Sequence, residues 1–321
     1  MGYGNYSFAA HAALVAGRAN QSRNEVFKQV QCHALMNPKG LGVRECRDSP
    51  DHPDALGIIF ALDVTGSMGS IPHLLAKEEL PNLMKLLTAC HVADPQVMFM
   101  AIGDATSDQA ALQVGQFETT AELMDQWLTW SYLEGGGGGT GHESYELAFY
   151  IAAQHTDTDN WAKRKKKGYF FMTGDEFPYP AVSRHQVEAL IGEKLDEDIP
   201  VEEVIAAAAE MYHLFFLIPD AARAQKVGAR WRELLGDHTI CMESPRDTCS
   251  VAAAIVGLTE NRIASLDELA RVLKANGFDR DHIGSTIRAV QAYAGVLNPH
   301  SVASHSVDQP GHDAWWKRLF G

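Results

Sequence analysis

No apolar run in this chain approaches the roughly 20 residues that a helix needs to cross a bilayer. Its first residues, M-G-Y-G-N-Y-S-F-A-A-H-A-A, lack the basic-then-apolar order of a secretory leader. The expectation is a cytoplasmic protein that does not enter a membrane. Cysteine is scarce: Cys32, Cys46, Cys90, Cys241 and Cys249 form an odd set without a C-x-x-C pair, which argues against a disulfide or zinc framework and for reduced thiols. Positive charge is also in short supply. With 27 Lys and Arg against 41 Asp and Glu, the formal net charge is -14, and a nucleic acid would be repelled by most of the surface. The exception, K-R-K-K-K at 163–167, reads as a solvated turn before a strand. What remains, 46% hydrophobic and 21% charged over 321 residues, suits a globular protein with one large domain, or a domain and an appendage.

Within this composition, residues 57–68, G-I-I-F-A-L-D-V-T-G-S-M, carry the densest signal. The apolar run is too short for a typical helix and reads as a strand buried on both faces of a sheet. It stops at Asp63. A carboxylate at the carboxyl end of a buried strand, hydroxyls at Thr65 and Ser67, and Gly66 to allow a tight turn outline a divalent-cation cradle of hard oxygen ligands. Asp63 and Ser67 would equally serve to cap a following helix. Two enzyme motifs fit less well, because Val64 interrupts the Asp-Thr-Gly of aspartic proteases and Thr65 stands where haloacid-dehalogenase-like phosphatases have a second Asp.

Ahead of this stretch, helical patterns at 9–19 and 23–32 give way to a segment broken by Pro38, Gly40, Gly42, Pro50 and Pro53, and residues 1–54 form an N-terminal extension. After it, Ser70 offers an N-cap to a helix over 71–91 that Pro81 should kink or split. A strand at 97–102 follows, ending in G-D-A-T-S-D; a right-handed crossover sets Asp104 on the same sheet edge as Asp63. The pattern continues with a short edge strand at 114–117, helices at 120–132 and 143–154, a strand at 168–173, and helices at 183–195 and 201–211. It ends with a strand at 213–218, a helix at 221–235, a strand at 239–242 and a helix at 248–258. Such alternation predicts an α/β fold, a doubly wound, mostly parallel central sheet with helices on both faces, over 55–258. A helical pair at 259–298, closing its first member at Gly277 and followed by no strand, reads as a C-terminal helical appendage. In the irregular tail, 299–321, His300, His305 and His312 match no compact metal site, and Trp315, Trp316, Leu319 and Phe320 form a hydrophobic cluster that must dock on the protein's own body or on a partner.

D-V-T-G-S-M resembles the metal-ion-dependent adhesion site of the von Willebrand factor A family, whose signature is Asp-x-Ser-x-Ser; Thr65 replaces the first Ser and keeps its hydroxyl. The resemblance spans about 55–258 and implies two further site residues. L-E-G-G-G-G-G-T-G-H-E-S resembles the family's glycine loop, which makes Thr140 a ligand, with Glu143 and Ser144 close enough to support it or to be ordinary first-turn helix residues. T-G-D-E, after the strand at 168–173, resembles the family's Thr-Asp-Gly with a one-residue displacement; Asp175 and Glu176 are both eligible, and Asp175 is preferred. The implied site is therefore Asp63, Thr65, Ser67, Thr140 and Asp175, with the hydroxyls on the metal and the carboxylates acting directly or through water. An all-oxygen set favours Mg²⁺, then Mn²⁺ or Ca²⁺. One coordination position stays open for a Glu or Asp carboxylate of a partner protein, and intracellular, prokaryotic-type members of the family serve in multiprotein complexes, often beside AAA+ ATPases. The expected function is a metal-ion-dependent protein-binding module rather than an enzyme, since the 14 histidines form no legible nucleophile-and-base spacing. The alternative is a metal-dependent phosphoryl or ester hydrolase in the same crevice, with Asp63 as ligand or nucleophile and Asp104 or Glu176 as base.

Overall fold

Short, nearly continuous apolar runs build the sheet. A computed structural model of the chain describes residues 4–69, 71–135 and 139–297. Ser70, the middle of the glycine run at 136–138, and the tail with His300, His305, His312, Trp315, Trp316, Leu319 and Phe320 lie outside the described residues. Strands β1 (Leu56–Asp63), β2 (Pro95–Ile102), β3 (Leu112–Val114), β4 (Gly168–Thr173), β5 (Tyr212–Ile218) and β6 (Thr239–Cys241) form one sheet in the order β6-β5-β4-β1-β2-β3. All neighbours are parallel except β3, which runs antiparallel to β2 at the edge. This is the mostly parallel, doubly wound arrangement expected from the alternation, with the first strand at the centre.

Every residue of β1 is buried, because both faces of the sheet are covered. The helices are α1 (Phe8–Gly17), α2 (Leu80–Ala89), α3 (Ala121–Thr129), α4 (Tyr145–Gln154), α5 (Val201–Met211), α6 (Ala221–Leu235), α7 (Thr248–Thr259), α8 (Leu266–Ala275) and α9 (Arg280–Leu297), with shorter helical turns between them. Ile58, Phe60 and Leu62 of β1 point into a cluster with α2, α3, α7, α8 and α9. Ile59 and Ala61 point the other way, toward α4, α5 and α6. Helix α4 is buried from Tyr145 through Ala152, as befits a helix that is apolar nearly all round.

Several local expectations changed under tertiary packing. The helix expected over 23–32 shortens to Arg23–Val26, opened by a Ser22–Glu25 capping box. It stops because Phe27 turns extended to bury its ring with Val26 in the core. Between β1 and α2 the helix splits as Pro81 suggested: a turn at Ile71–Leu74 is followed by a π-type turn, Leu75–Glu79, and Pro81 sits in the first turn of α2, where its missing N–H costs nothing. Helices α8 and α9 are not peripheral: Leu266, Leu269, Leu273, Ile283, Ile287, Val290 and Tyr293 belong to the same apolar cluster as β1. Residues 44–46, in the N-terminal extension, pair with Thr156–Thr158.

The basic stretch is a structural turn. Lys163 reaches Asp48 and Asp159, Arg164 reaches Asp48, Lys166 reaches Glu260, and Lys167 donates to the Ala209 carbonyl. Among the described residues no helix is long and apolar enough to cross a membrane.

Gly168 opens β4 against its neighbours with no room for a side chain. A Cβ there would stand 2.6 Å from the Gly57 carbonyl and 3.0 Å from the Tyr212 ring. Gly168→Ala is expected to destabilise the fold by about 1–3 kcal/mol, seen as a lower urea midpoint with an unchanged m-value.

Candidate functional site

Strand β1 delivers Asp63 to the carboxyl edge of the sheet, fully buried, and the chain turns sharply at once. Asp63 Oδ1 accepts from the Thr65 amide at 2.9 Å and the Thr65 hydroxyl at 2.6 Å, closing a tight Asx turn. Thr65 Oγ1 lies 3.2 Å from Ser67 Oγ, and Ser67 Oγ donates to Asp175 Oδ1 at 2.8 Å. Asp175 stands just beyond β4, the strand beside β1, so a link of 108 residues in sequence closes in one hydrogen bond. Asp63, Thr65, Ser67 and Asp175 thus form a single chain of oxygens.

Tyr145, the first residue of α4, ties this chain from below. Its hydroxyl donates to Asp63 Oδ2 at 2.5 Å and accepts from the amides of Asp175 at 3.2 Å and Glu176 at 3.4 Å. Gly174 lets the phenol approach: a Cβ there would meet the Tyr145 oxygen at 2.5 Å. From above, Arg223 in the first turn of α6 donates through Nε to Asp175 Oδ2 at 2.8 Å and through a terminal nitrogen to the Ser67 carbonyl. Every oxygen of both carboxylates therefore has a partner within the protein.

Strand β2 repeats the device one strand away. Asp104 Oδ1 accepts from the Thr106 amide at 2.9 Å and hydroxyl at 2.7 Å, the same Asx turn that Asp63 and Thr65 make. Tyr179 also donates to Asp104 Oδ1, at 3.0 Å. Thr140 belongs to this second turn as the structure stands. Its hydroxyl contacts Asp104 Oδ2 at 3.4 Å and the His142 carbonyl at 3.1 Å rather than Asp63, Ser67 or Asp175. It nevertheless shares one cleft of about 420 Å³ with Thr65, Ser67, Glu143 and Glu176.

The cleft is acidic. Burial, with the Asp175 charge adding to it, pushes the Asp63 carboxyl up to about 7. Burial foremost, then the charges of Asp63, Asp108, Asp104 and Glu176, pushes Glu143 up to about 9. Glu143 is 4% exposed, and its Oε2 has no hydrogen-bond partner among the described residues. Glu176 pairs with Lys226 of α6, although its Oε2 also lacks a partner. Ser144 accepts from the Ala105 amide at 2.9 Å and so joins the two loops instead of lining the cleft.

No family model matches the sequence, and no curated protein matches it. Among solved structures, two of the pilus adhesin SpaC from Lactobacillus rhamnosus GG, one in an open conformation, align over 70% and 71% of this chain, at 11% and 10% identity and a TM-score of 0.43 each. This chain spans 33% of that protein's length. A likeness at that distance carries no argument about function.

Among the described residues no three His, Cys, Asp or Glu side chains are grouped to hold a metal ion. The candidate set instead mixes hydroxyls with carboxylates, and in kind it suits a hard divalent ion: oxygens throughout, Ser67 exposed at the mouth, and an unpartnered buried Glu143 oxygen on the wall. Tyr145 and Arg223 were missed by sequence reasoning. The only local signal was Gly174, whose missing side chain admits the phenol; Arg223 reads in sequence as an ordinary helix residue.

Glu143 gives the site a pH signature. Its folded-state value lies above its ordinary 4.5, so the native state holds a proton that the unfolded chain releases. This contribution is complete below about 4.5 and is lost as pH rises through about 9. Glu143→Gln is expected to leave the metal-free melting temperature unchanged near pH 4 and to raise it relative to wild type at pH 9.

Proposed function

We propose that this chain is a von Willebrand factor A-type binding module that captures an acidic side chain of a partner protein through a divalent cation, Mg²⁺ in the first place and Mn²⁺ or Ca²⁺ after it. The observation that carries the reading is the 2.8 Å bond from Ser67 to Asp175, which brings the D-V-T-G-S turn and the loop after β4 to one point at the carboxyl edge of the sheet. Open α/β sheets take their ligands at that edge, where the crossovers diverge to opposite faces.

In this reading Ser67 and Thr65 offer hydroxyl oxygens, Asp63 and Asp175 offer negative charge, and Thr140 closes the set from the glycine loop after turning from Asp104. The bound cation supplies a coordination position for the partner's Glu or Asp. The protein's own residues do the rest. Tyr145 fixes the spacing of the two carboxylate loops, Arg223 fixes the outer oxygen of Asp175, and Lys226 balances Glu176. The same reading places the protein in a cytoplasmic multiprotein complex, with an AAA+ ATPase as the class of associate that the resemblance suggests.

The test is calorimetric titration of the wild type and Ser67→Ala with Mg²⁺, Mn²⁺ and Ca²⁺. Ser67 is exposed, so its substitution should leave the fold intact. At least one ion should bind the wild type, with affinity reduced at least about 10-fold in the variant, the scale on which partners of metal ligands act. Failure of all three ions to bind the wild type, or equal affinity in the variant, overturns the reading.

A further inference from the structure

At the far end of the sheet, beyond β6, a cavity of about 970 Å³ opens between the turn at Pro245–Asp247 and the start of α9. Its lining includes Arg246, Asp247, His282, Ser285 and the Glu243–Arg288 pair. None of these residues lines the cleft at Thr65 and Ser67.

Asp247 is the reason to expect a ligand. It is 1% exposed, Oδ1 accepts from Ser285 Oγ at 2.8 Å, the Ser244 amide also acts on the carboxyl, and Oδ2 has no hydrogen-bond partner among the described residues. It precedes α7 yet makes no side-chain capping bond to that helix. Burial, with the Arg246 charge adding to it, holds the His282 imidazole below its usual range, and burial pushes Asp247 up to about 6 against the Ser285 and Ser244 hydrogen bonds and the Arg288 charge. A buried carboxylate oxygen without a donor is costly, and natural proteins rarely leave one without a use.

A Ser–His–Asp relay is excluded by geometry. Ser250 Oγ lies 3.0 Å and Asp247 Oδ1 3.4 Å from the same imidazole nitrogen, Nε2, whereas a relay needs the two on opposite nitrogens.

Its charges are sorted by depth. Of the four acids on the wall, Glu243 is neutralised by two bonds from Arg288, Asp279 caps α9 by accepting from the His282 amide, and Asp281, next to Arg280, is exposed to solvent. Asp247 is the one buried acid of the lining. At the mouth Arg246 is exposed; its charge acts on Asp279 and His282, but its guanidinium makes no hydrogen bond or ion pair among the described residues. An inorganic anion that satisfied Arg246 would face the Asp247 carboxylate, and a simple cation at Asp247 would leave Arg246 unused.

We propose that this pocket binds a small zwitterion of the amino-acid class, its ammonium group received by Asp247 and its carboxylate by Arg246. The cavity is larger than the backbone of an amino acid and leaves space for a side chain.

The experiment is calorimetric titration of the full chain with each standard amino acid, with acetate and methylamine as the two half-ligands. Wild type, Arg246→Ala, Asp247→Asn and Ser67→Ala are compared. At least one amino acid should bind saturably. Its affinity should exceed that of either half-ligand by about 10-fold or more, fall by a similar factor in Arg246→Ala and Asp247→Asn, and stay unchanged in Ser67→Ala. The proposal is overturned if no amino acid binds, if acetate or methylamine binds as well as the amino acid, if Arg246→Ala binds like wild type, or if Ser67→Ala weakens binding. Arg246 lies on the surface, so that variant decides the matter even if Asp247→Asn does not fold.

Discussion

One phenol oxygen holds the candidate site together. Tyr145 begins α4 on one side of the sheet, yet its hydroxyl reaches through to the end of β1 and the loop after β4, serving one carboxylate oxygen and two backbone amides. Its position is over-determined: the ring is fully buried, edge-on to Phe216 and Trp231, and Trp231 in turn stacks on Phe216 at 3.6 Å. The packing of the α4–α6 face thus sets the distance between Asp63 and Asp175. A hydroxyl donated into a buried carboxylate is also a stronger bond than the same contact in water, which offsets part of the cost of burying Asp63.

Helix α6, held on the sheet by Val227 and Trp231, also meets the charge at the carboxyl edge. Asp63, Asp104, Asp108, Glu143, Asp175 and Glu176 crowd one end of the sheet, and mutual repulsion there works against the fold. Helix α6 answers with two cations, Arg223 onto Asp175 and Lys226 onto Glu176, and its own N-terminus, capped by Asp220, faces the same region. The compensation is partial: burial and the same crowding keep Glu143 protonated to about 9, and one oxygen each of Glu143 and Glu176 has no partner among the described residues.

The sheet was readable because its strands are buried on both faces and flanked by glycine and proline, so the apolar runs at 57–62, 97–102, 168–172 and 213–218 had no competing helical pattern. The carboxylates at strand ends were readable for the same reason, since a charge terminating such a run must lie at an edge. Tyr145 and Arg223 were not, and neither were three features of the chain's path. The early end of the Arg23–Val26 turn follows from where Phe27 finds burial, a long-range fact with no local mark. Helices α8 and α9 look amphipathic in isolation, and amphipathicity alone cannot say whether the partner is the main core or a satellite. The attachment of Thr140 to Asp104 depends on a glycine-rich loop whose conformational freedom leaves its contacts open in sequence.

The Asx turn at Asp63 and its copy at Asp104 sit side by side, and they differ chiefly four residues on. In the first, Ser67 points its hydroxyl outward to another loop. In the second, Asp108 folds back onto the Asp104 amide at 2.7 Å and fills its own turn. The same five-residue turn thus serves opposite ends on adjacent strands: one hands its last side chain to a neighbouring loop, and the other spends it on closing itself.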